Sequence, residues 1–317
     1  MSLALVAPMA CSSKRGPSDA APDEHERLSS LCGEGVGPSS RGQIGWLKAQ
    51  ATDVTPRFRE LLERVKAGEE VVPAEAGDYV WLLVPGLFSN TYPQYMKGNV
   101  DALRDLGLRF REVDLTPEES VLSGAEVVRE VILSESAEGQ QAVILGHSKG
   151  GVDAAAALAL YPETRPRVRA FVAIQAPYAG SPIASDLTNG PGAGETAAAF
   201  VRLLGNQPEA ASELSYQARR AFIAQHPYPS EVPTLSLATS RVDWRSIVWM
   251  TGSYVRDQYG MESDGLVVPV DAVLPGSQAI FLDDMDHAEV VLSGVPGFIN
   301  YRASEVTRVL VAMALAL

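Results

Sequence analysis

Gly146-His147-Ser148-Lys149-Gly150-Gly151 sets a serine between two glycines, each two residues away. A serine that attacks a carbonyl carbon has to stand clear of its own backbone, and a sharp strand-to-helix turn does this by holding the residue in a strained conformation. Small neighbours let strand and helix close up around such a turn. The start of the following helix also aims free N–H groups at the reacting centre, where negative charge would collect. The chemistry on offer is nucleophilic attack through an acyl-enzyme. A bare Gly-x-Ser-x-Gly arises easily by chance. Here Val143-Ile144-Leu145 comes directly before it, and a run of Ala, Leu and Val continues to Leu160 and stops at Tyr161-Pro162. Strand, turn and helix are therefore all expected in place.

A serine hydroxyl is a weak nucleophile at neutral pH and needs a base, for which histidine is best suited. Of four histidines, His25 lies in a polar tail, His147 is expected to point away from its neighbour Ser148, and His226 precedes Pro227. His287 remains, in Asp283-Asp284-Met285-Asp286-His287-Ala288-Glu289 after the last expected strand. A base of this kind works with a carboxylate that fixes its tautomer. Asp264, in Glu262-Ser263-Asp264-Gly265-Leu266, gives the chain order serine, aspartate, histidine expected for this elbow. Asp243 is the runner-up and Asp271 the third candidate. The tetrahedral oxyanion needs preplaced backbone donors. The Lys149 N–H is one, and the Leu87 N–H, in Pro85-Gly86-Leu87 after the first strong strand, is the other. Lys149 contributes its backbone, and its ammonium is expected at solvent or on an acid of its own helix.

These residues need a frame. Buried strands are expected at Asp78 to Val84, Arg109 to Val113, Gln141 to Leu145, Val168 to Ile174, Thr234 to Ala238 and Gln278 to Leu282, with helices between them. Alternation of this kind means a mostly parallel α/β sheet covered on both faces, with the site in the loops at the strands' C-terminal ends. Residues 182–232 carry no strand pattern and read as a helical insertion, with helices at Glu195 to Leu204 and Glu213 to Ala224. Residues 44–317 form the expected catalytic domain. Residues 1–43 read as a tail rich in Ser, Gly, Pro and charge.

The formal net charge is -13, which argues against nucleic acid held by general electrostatics. Cys11 and Cys32 are the only cysteines, so a disulfide framework or cysteine metal cluster is not available. Gly33-x-Gly35-x-Gly37-Pro38 follows no strand and opens no helix, so a dinucleotide site is not expected. The reading is independent of cofactor and metal. The start of the chain, with a small apolar run into Ala10-Cys11-Ser12, resembles the end of a bacterial lipoprotein signal and points to secretion or the cell envelope, although no basic region precedes it. No stretch is long enough to span a bilayer, and Val309 to Leu317 reads as the buried face of a last helix.

From about Tyr79 onward the sequence resembles the α/β-hydrolase superfamily, and within it the bacterial serine lipases and esterases. The resemblance rests on Gly146-His147-Ser148-Lys149-Gly150-Gly151, on Ala176-Pro177-Tyr178-Ala179-Gly180-Ser181-Pro182 after the next strand, and on Ser263-Asp264-Gly265-Leu266-Val267. It implies catalytic roles for Ser148, Asp264 and His287, an ester substrate, and a helical lid in the insertion through which lipid could be met. Two departures stand out. The family's usual His-Gly in the oxyanion loop is Pro85-Gly86 here, without a supporting side chain, and the acidic positions where many relatives hold calcium are represented by Asp243 and Glu289. Acyl transfer on the same three residues is the alternative enzyme reading. A non-catalytic module of the same fold is the alternative outside enzymes.

Overall fold

The computed structural model describes residues 40–317 apart from 88, 117–118, 137–138, 190–207, 242 and 293–301. The expectations for Cys11, Cys32, the glycine-rich turn at Gly33 to Pro38 and a helix at Glu195 to Leu204 lie outside the described residues. Seven parallel strands form one sheet in the order β1-β7-β6-β5-β4-β2-β3. They are β1 (Thr52–Asp53), β2 (Val80–Val84), β3 (Phe110–Glu112), β4 (Ala142–His147), β5 (Val168–Ile174), β6 (Thr234–Thr239) and β7 (Gln278–Leu282).

The inner strands β2, β4 and β5 are mostly apolar and almost wholly buried, because helices cover both faces. Side chains alternate across the sheet, so Val80, Leu82, Val84 and Ile144 enter one core while Trp81, Leu83, Val143 and Leu145 enter the other. On the first face lie α3 (Val121–Glu135) and α4 (Lys149–Leu160). On the second, α1 (Thr55–Lys66) and α2 (Lys97–Asp105) pack against the last helix, α9 (Ala303–Leu315), which buries Val306, Val309, Leu310 and Met313. Among the described residues no helix is long and apolar enough to cross a membrane.

Between β5 and β6 the described residues form α5 (Pro182–Asn189), α6 (Pro208–Ser212) and α7 (Tyr216–Gln225), with no strand. Tyr216 ties α7 to α5, its N–H donating to Ser185 Oγ at 2.8 Å. The end of the expected tail is folded rather than loose. Ser40 is buried, its N–H and hydroxyl donating to Asp186 Oδ1 at 3.1 and 3.0 Å, and Trp46 Nε1 donates to the Ala179 carbonyl at 2.7 Å. Those bonds satisfy polar groups that would otherwise be buried without partners. Four elements have no counterpart in the sequence reading: the two-residue edge strand β1, the helices α5 and α6 within the insertion, and α8 (Trp249–Tyr259), which ends at Gly260 in the left-handed region.

The chain steps outward from β2 to β3, returns to β4 on the other side of β2, and then proceeds to β5, β6 and β7. This reversal opens a crevice at the C-terminal ends of β2 and β4. The loop after β2 and the turn after β4 meet there.

Candidate active site

Ser148 sits at that crevice, between the end of β4 and the first residue of α4, with φ 54° and ψ -128°. The conformation is one that side chains rarely adopt and that costs of order 1–3 kcal/mol. It persists because the surroundings leave no alternative. The Ser148 N–H donates to the Ile174 carbonyl at 2.9 Å, and a Cβ on Gly150 would overlap the backbone carbonyl oxygens of Val84 and Pro85. Only glycine lets the first turn of α4 lie this close to the end of β2.

Three of the sequence-selected side chains come together here. His287 Nε2 lies 3.0 Å from Ser148 Oγ, and His287 Nδ1 lies 2.8 Å from Asp264 Oδ2. All three are buried. Asp264 Oδ1 accepts from the N–H groups of Leu266 and Val267 at 2.9 and 2.8 Å, and the Asp264 carbonyl accepts the His287 N–H at 2.8 Å. Each carboxylate oxygen is thus committed, one to the backbone and one to the imidazole. Asp286 secures the turn after His287, its Oδ1 accepting from the N–H groups of Ala288 and Glu289 at 2.8 and 3.0 Å.

The remaining selected positions flank the serine. A Cβ on Gly86 would lie 2.8 Å from Ser148 Cβ, so the loop after β2 runs directly against the serine, with Leu87 buried next along it. Lys149 opens α4. Of the two places expected for its ammonium, it takes the acid of its own helix, Asp153, at 2.9 and 3.1 Å, and both side chains are buried. Burial pushes the Asp153 carboxyl up, to about 7, against the pull of Lys149. Breaking such a pair leaves one buried charge uncompensated. Lys149→Met is therefore expected to lower the unfolding free energy by about 3 kcal/mol in urea titrations, with Lys149→Met/Asp153→Leu recovering most of it.

His147 is a functional candidate that the sequence reading set aside. It does point away from Ser148, but into a buried network: Nδ1 faces the Tyr95 hydroxyl at 2.5 Å, and Nε2 faces Gln175 Oε1 at 3.1 Å and the His287 carbonyl at 3.2 Å. Burial first, and the neighbouring His287 second, hold the ring well below the usual histidine range, so it is neutral. Its place inside the Gly-His-Ser turn was a signal. Tyr95 and Gln175 carried none, because only the packed loops bring them to it.

The runner-up acids lie elsewhere. Asp243 is bound to Arg245 through its Oδ1 at 3.2 Å and its Oδ2 at 3.3 Å. Glu289 Oε1 accepts from Arg241 at 2.7 Å, with Arg302 3.8 Å from its other oxygen. A guanidinium group thus lies against each of these carboxylates. Among the described residues no group of three or more His, Cys, Asp or Glu is arranged to hold a metal. Asp271 is buried beneath α7, accepting from the Tyr216 hydroxyl at 2.7 Å and the Gly45 N–H at 2.9 Å.

Burial pushes the Asp271 carboxyl up to about 6 from 3.8. Between those values the folded chain holds more protons than the unfolded one, so this group makes stability fall as pH rises. Asp271→Asn removes the ionisation. Relative to wild type it is expected to gain about 3 kcal/mol between pH 3.5 and 7.5 in denaturant titrations. An unchanged difference across that range would contradict the assignment.

A small pocket opens beside His287, lined by Tyr92, Tyr95, Ile247, Val248, Val291 and Leu292 together with His147. Its lining is apolar, as suits a hydrocarbon portion of a ligand. Trp244, Trp249 and Met250, all exposed, flank Ile247 and Val248. Among the described residues of 182–232 no large apolar side chain is comparably exposed.

The parallel sheet, the switch-point crevice and the serine turn together are the α/β-hydrolase fold, and solved bacterial esterases and lipases match it over most of the chain. The structure of the metagenomic carboxyl esterase MGS0156 matches with a TM-score of 0.68 at 22% identity, covering 91% of this chain and 98% of that one. The mature Bacillus licheniformis lipase BlEst2 matches with a TM-score of 0.56 at 20% identity, covering 68% and 86%. The Staphylococcus hyicus lipase matches with a TM-score of 0.53 at 12% identity, covering 74% and 94%. No family model matches the sequence, and no curated protein does.

Proposed function

We propose that this chain hydrolyses carboxylic esters through an acyl-enzyme on Ser148. The observation that carries the reading is the continuous line from Ser148 Oγ through His287 to Asp264, at 3.0 and 2.8 Å, on a strained turn beside an apolar pocket. The likeness to structures named as a carboxyl esterase and as lipases supports it. His287 takes the hydroxyl proton as Ser148 Oγ attacks the ester carbonyl carbon. The oxygen that becomes negative is held by the N–H groups of Lys149 and Leu87. His287, oriented by Asp264, returns its proton to the departing alcohol, and water then repeats the sequence to release the acid. The apolar part of the ester occupies the pocket, approached past Trp244, Trp249 and Met250.

The direct test is turnover of p-nitrophenyl esters from short to long acyl chains, with Ser148→Ala as the blank. Serine-dependent hydrolysis is expected. No turnover above the blank at any chain length would defeat the proposal.

A further inference from the structure

We infer that Tyr95 and His147 are positioning residues that hold the loop carrying Leu87 in register with the base His287. The inference rests on the ester-hydrolase reading and adds to it a means of support for an oxyanion loop that has Pro85-Gly86 in place of a supporting side chain.

The directions of the hydrogen bonds carry the argument. The Gly86 N–H can only donate, and its acceptor is the Tyr95 hydroxyl oxygen at 3.1 Å. The hydroxyl proton is then free for the second partner of that oxygen, His147 Nδ1, which must be the unprotonated ring nitrogen. His147 therefore carries its proton on Nε2, and Nε2 faces two acceptors, Gln175 Oε1 and the His287 carbonyl. The orientation of Gln175 agrees: its Nε2 donates to the Asp286 carbonyl at 2.9 Å and to Thr239 Oγ1. One chain of donors thus runs from the loop after β2, past the residue preceding Ser148, to the backbone that carries His287. Every donor in it finds an acceptor, and reversing any member would leave a buried polar group unpaired.

A neutral imidazole is required at the centre of this chain. Burial and the neighbouring His287 keep His147 in that state. The Tyr95 segment is also anchored to the loop of the base, since the Met96 N–H donates to the Val291 carbonyl at 2.7 Å. Without the Tyr95 hydroxyl the Gly86 N–H loses its acceptor and the loop its fixed distance from the serine. The loss falls on the reaction step, because the Leu87 N–H acts where charge develops and the Tyr95 ring still lines the pocket.

The test compares Tyr95→Phe with wild type on a p-nitrophenyl ester and with a fluorophosphonate, whose phosphonyl oxygen takes the place of the oxyanion as Ser148 is modified. Removing a direct oxyanion donor costs about 100- to 1000-fold, so a supporting hydroxyl is expected to cost about 10-fold in kcat and in labelling rate, with KM within about twofold. His147→Gln, which retains an acceptor and a donor, is expected to keep more activity than His147→Leu at matched folded content by circular dichroism. Tyr95→Phe that labels and turns over within about twofold of wild type would overturn this inference alone, as would equal activity of the two His147 variants. Wild type left unlabelled at Ser148 would overturn the ester-hydrolase reading with it.

Discussion

Ser148→Ala is expected to lower kcat on carboxylic esters by about 10⁶-fold, as far as removing the nucleophile of a comparable serine enzyme does. His287 Nε2 faces Ser148 Oγ at 3.0 Å, and its Nδ1 is committed to Asp264, so the serine hydroxyl is the group the imidazole meets. The variant should fold as wild type does, because alanine occupies the same turn and the Ser148 N–H bond to Ile174 is retained. Alanine also inherits the unfavourable φ of 54°. Glycine does not, so Ser148→Gly should be equally inactive and yet more stable than Ser148→Ala by about 1 kcal/mol, after its own entropic cost is counted. Stability curves for the three proteins, with initial rates on one ester, check both parts. Hydrolysis retained by folded Ser148→Ala would remove the serine from the chemistry.

Asp264→Asn should cost about 10⁴-fold in kcat at neutral pH, although it changes one atom. Asp264 Oδ1 accepts from two backbone N–H groups, so the asparagine carbonyl oxygen is held on that side and its amide nitrogen is turned toward His287 Nδ1. An amide nitrogen donates and does not accept. The imidazole then carries its proton on Nε2, aimed at Ser148 Oγ, and cannot receive the serine proton. Binding should change little, because Asp264 is not among the residues lining the pocket. The measurement is kcat and KM for Asp264→Asn beside Asp243→Asn, whose side chain lies on Arg245 and should leave kcat near wild type. Equal losses in the two variants would transfer the role of acid away from Asp264.

Strands β2 and β4 could be read because each is a nearly continuous apolar run, a consequence of being covered on both faces. Helix α8 could not. It buries Thr251, Gly252 and Val255 while exposing Trp249 and Met250, so apolar character does not mark its inner side. Edge strand β1 is two exposed residues whose only signature is pairing with Gln278 and Ala279, far along the chain. Ser148 was legible from its turn and His287 by elimination among four histidines, whereas Asp264, Asp243 and Asp271 could be ranked but not separated. Asp-Gly marks an ordinary turn as readily as an acid beside an imidazole.

By itself, then, the sequence determined the alternation of strands and helices, the strained serine turn and the histidine that faces it. Those follow from steric preferences and apolar periodicity acting within short stretches of chain. The tertiary structure decided which aspartate reaches His287, that Lys149 and Asp153 are buried, and that His147 joins Tyr95 to the backbone of His287. These depend on distances between residues 23 to 140 positions apart, which exist only once the two cores have packed the loops of β2, β4 and β7 together at one edge of the sheet.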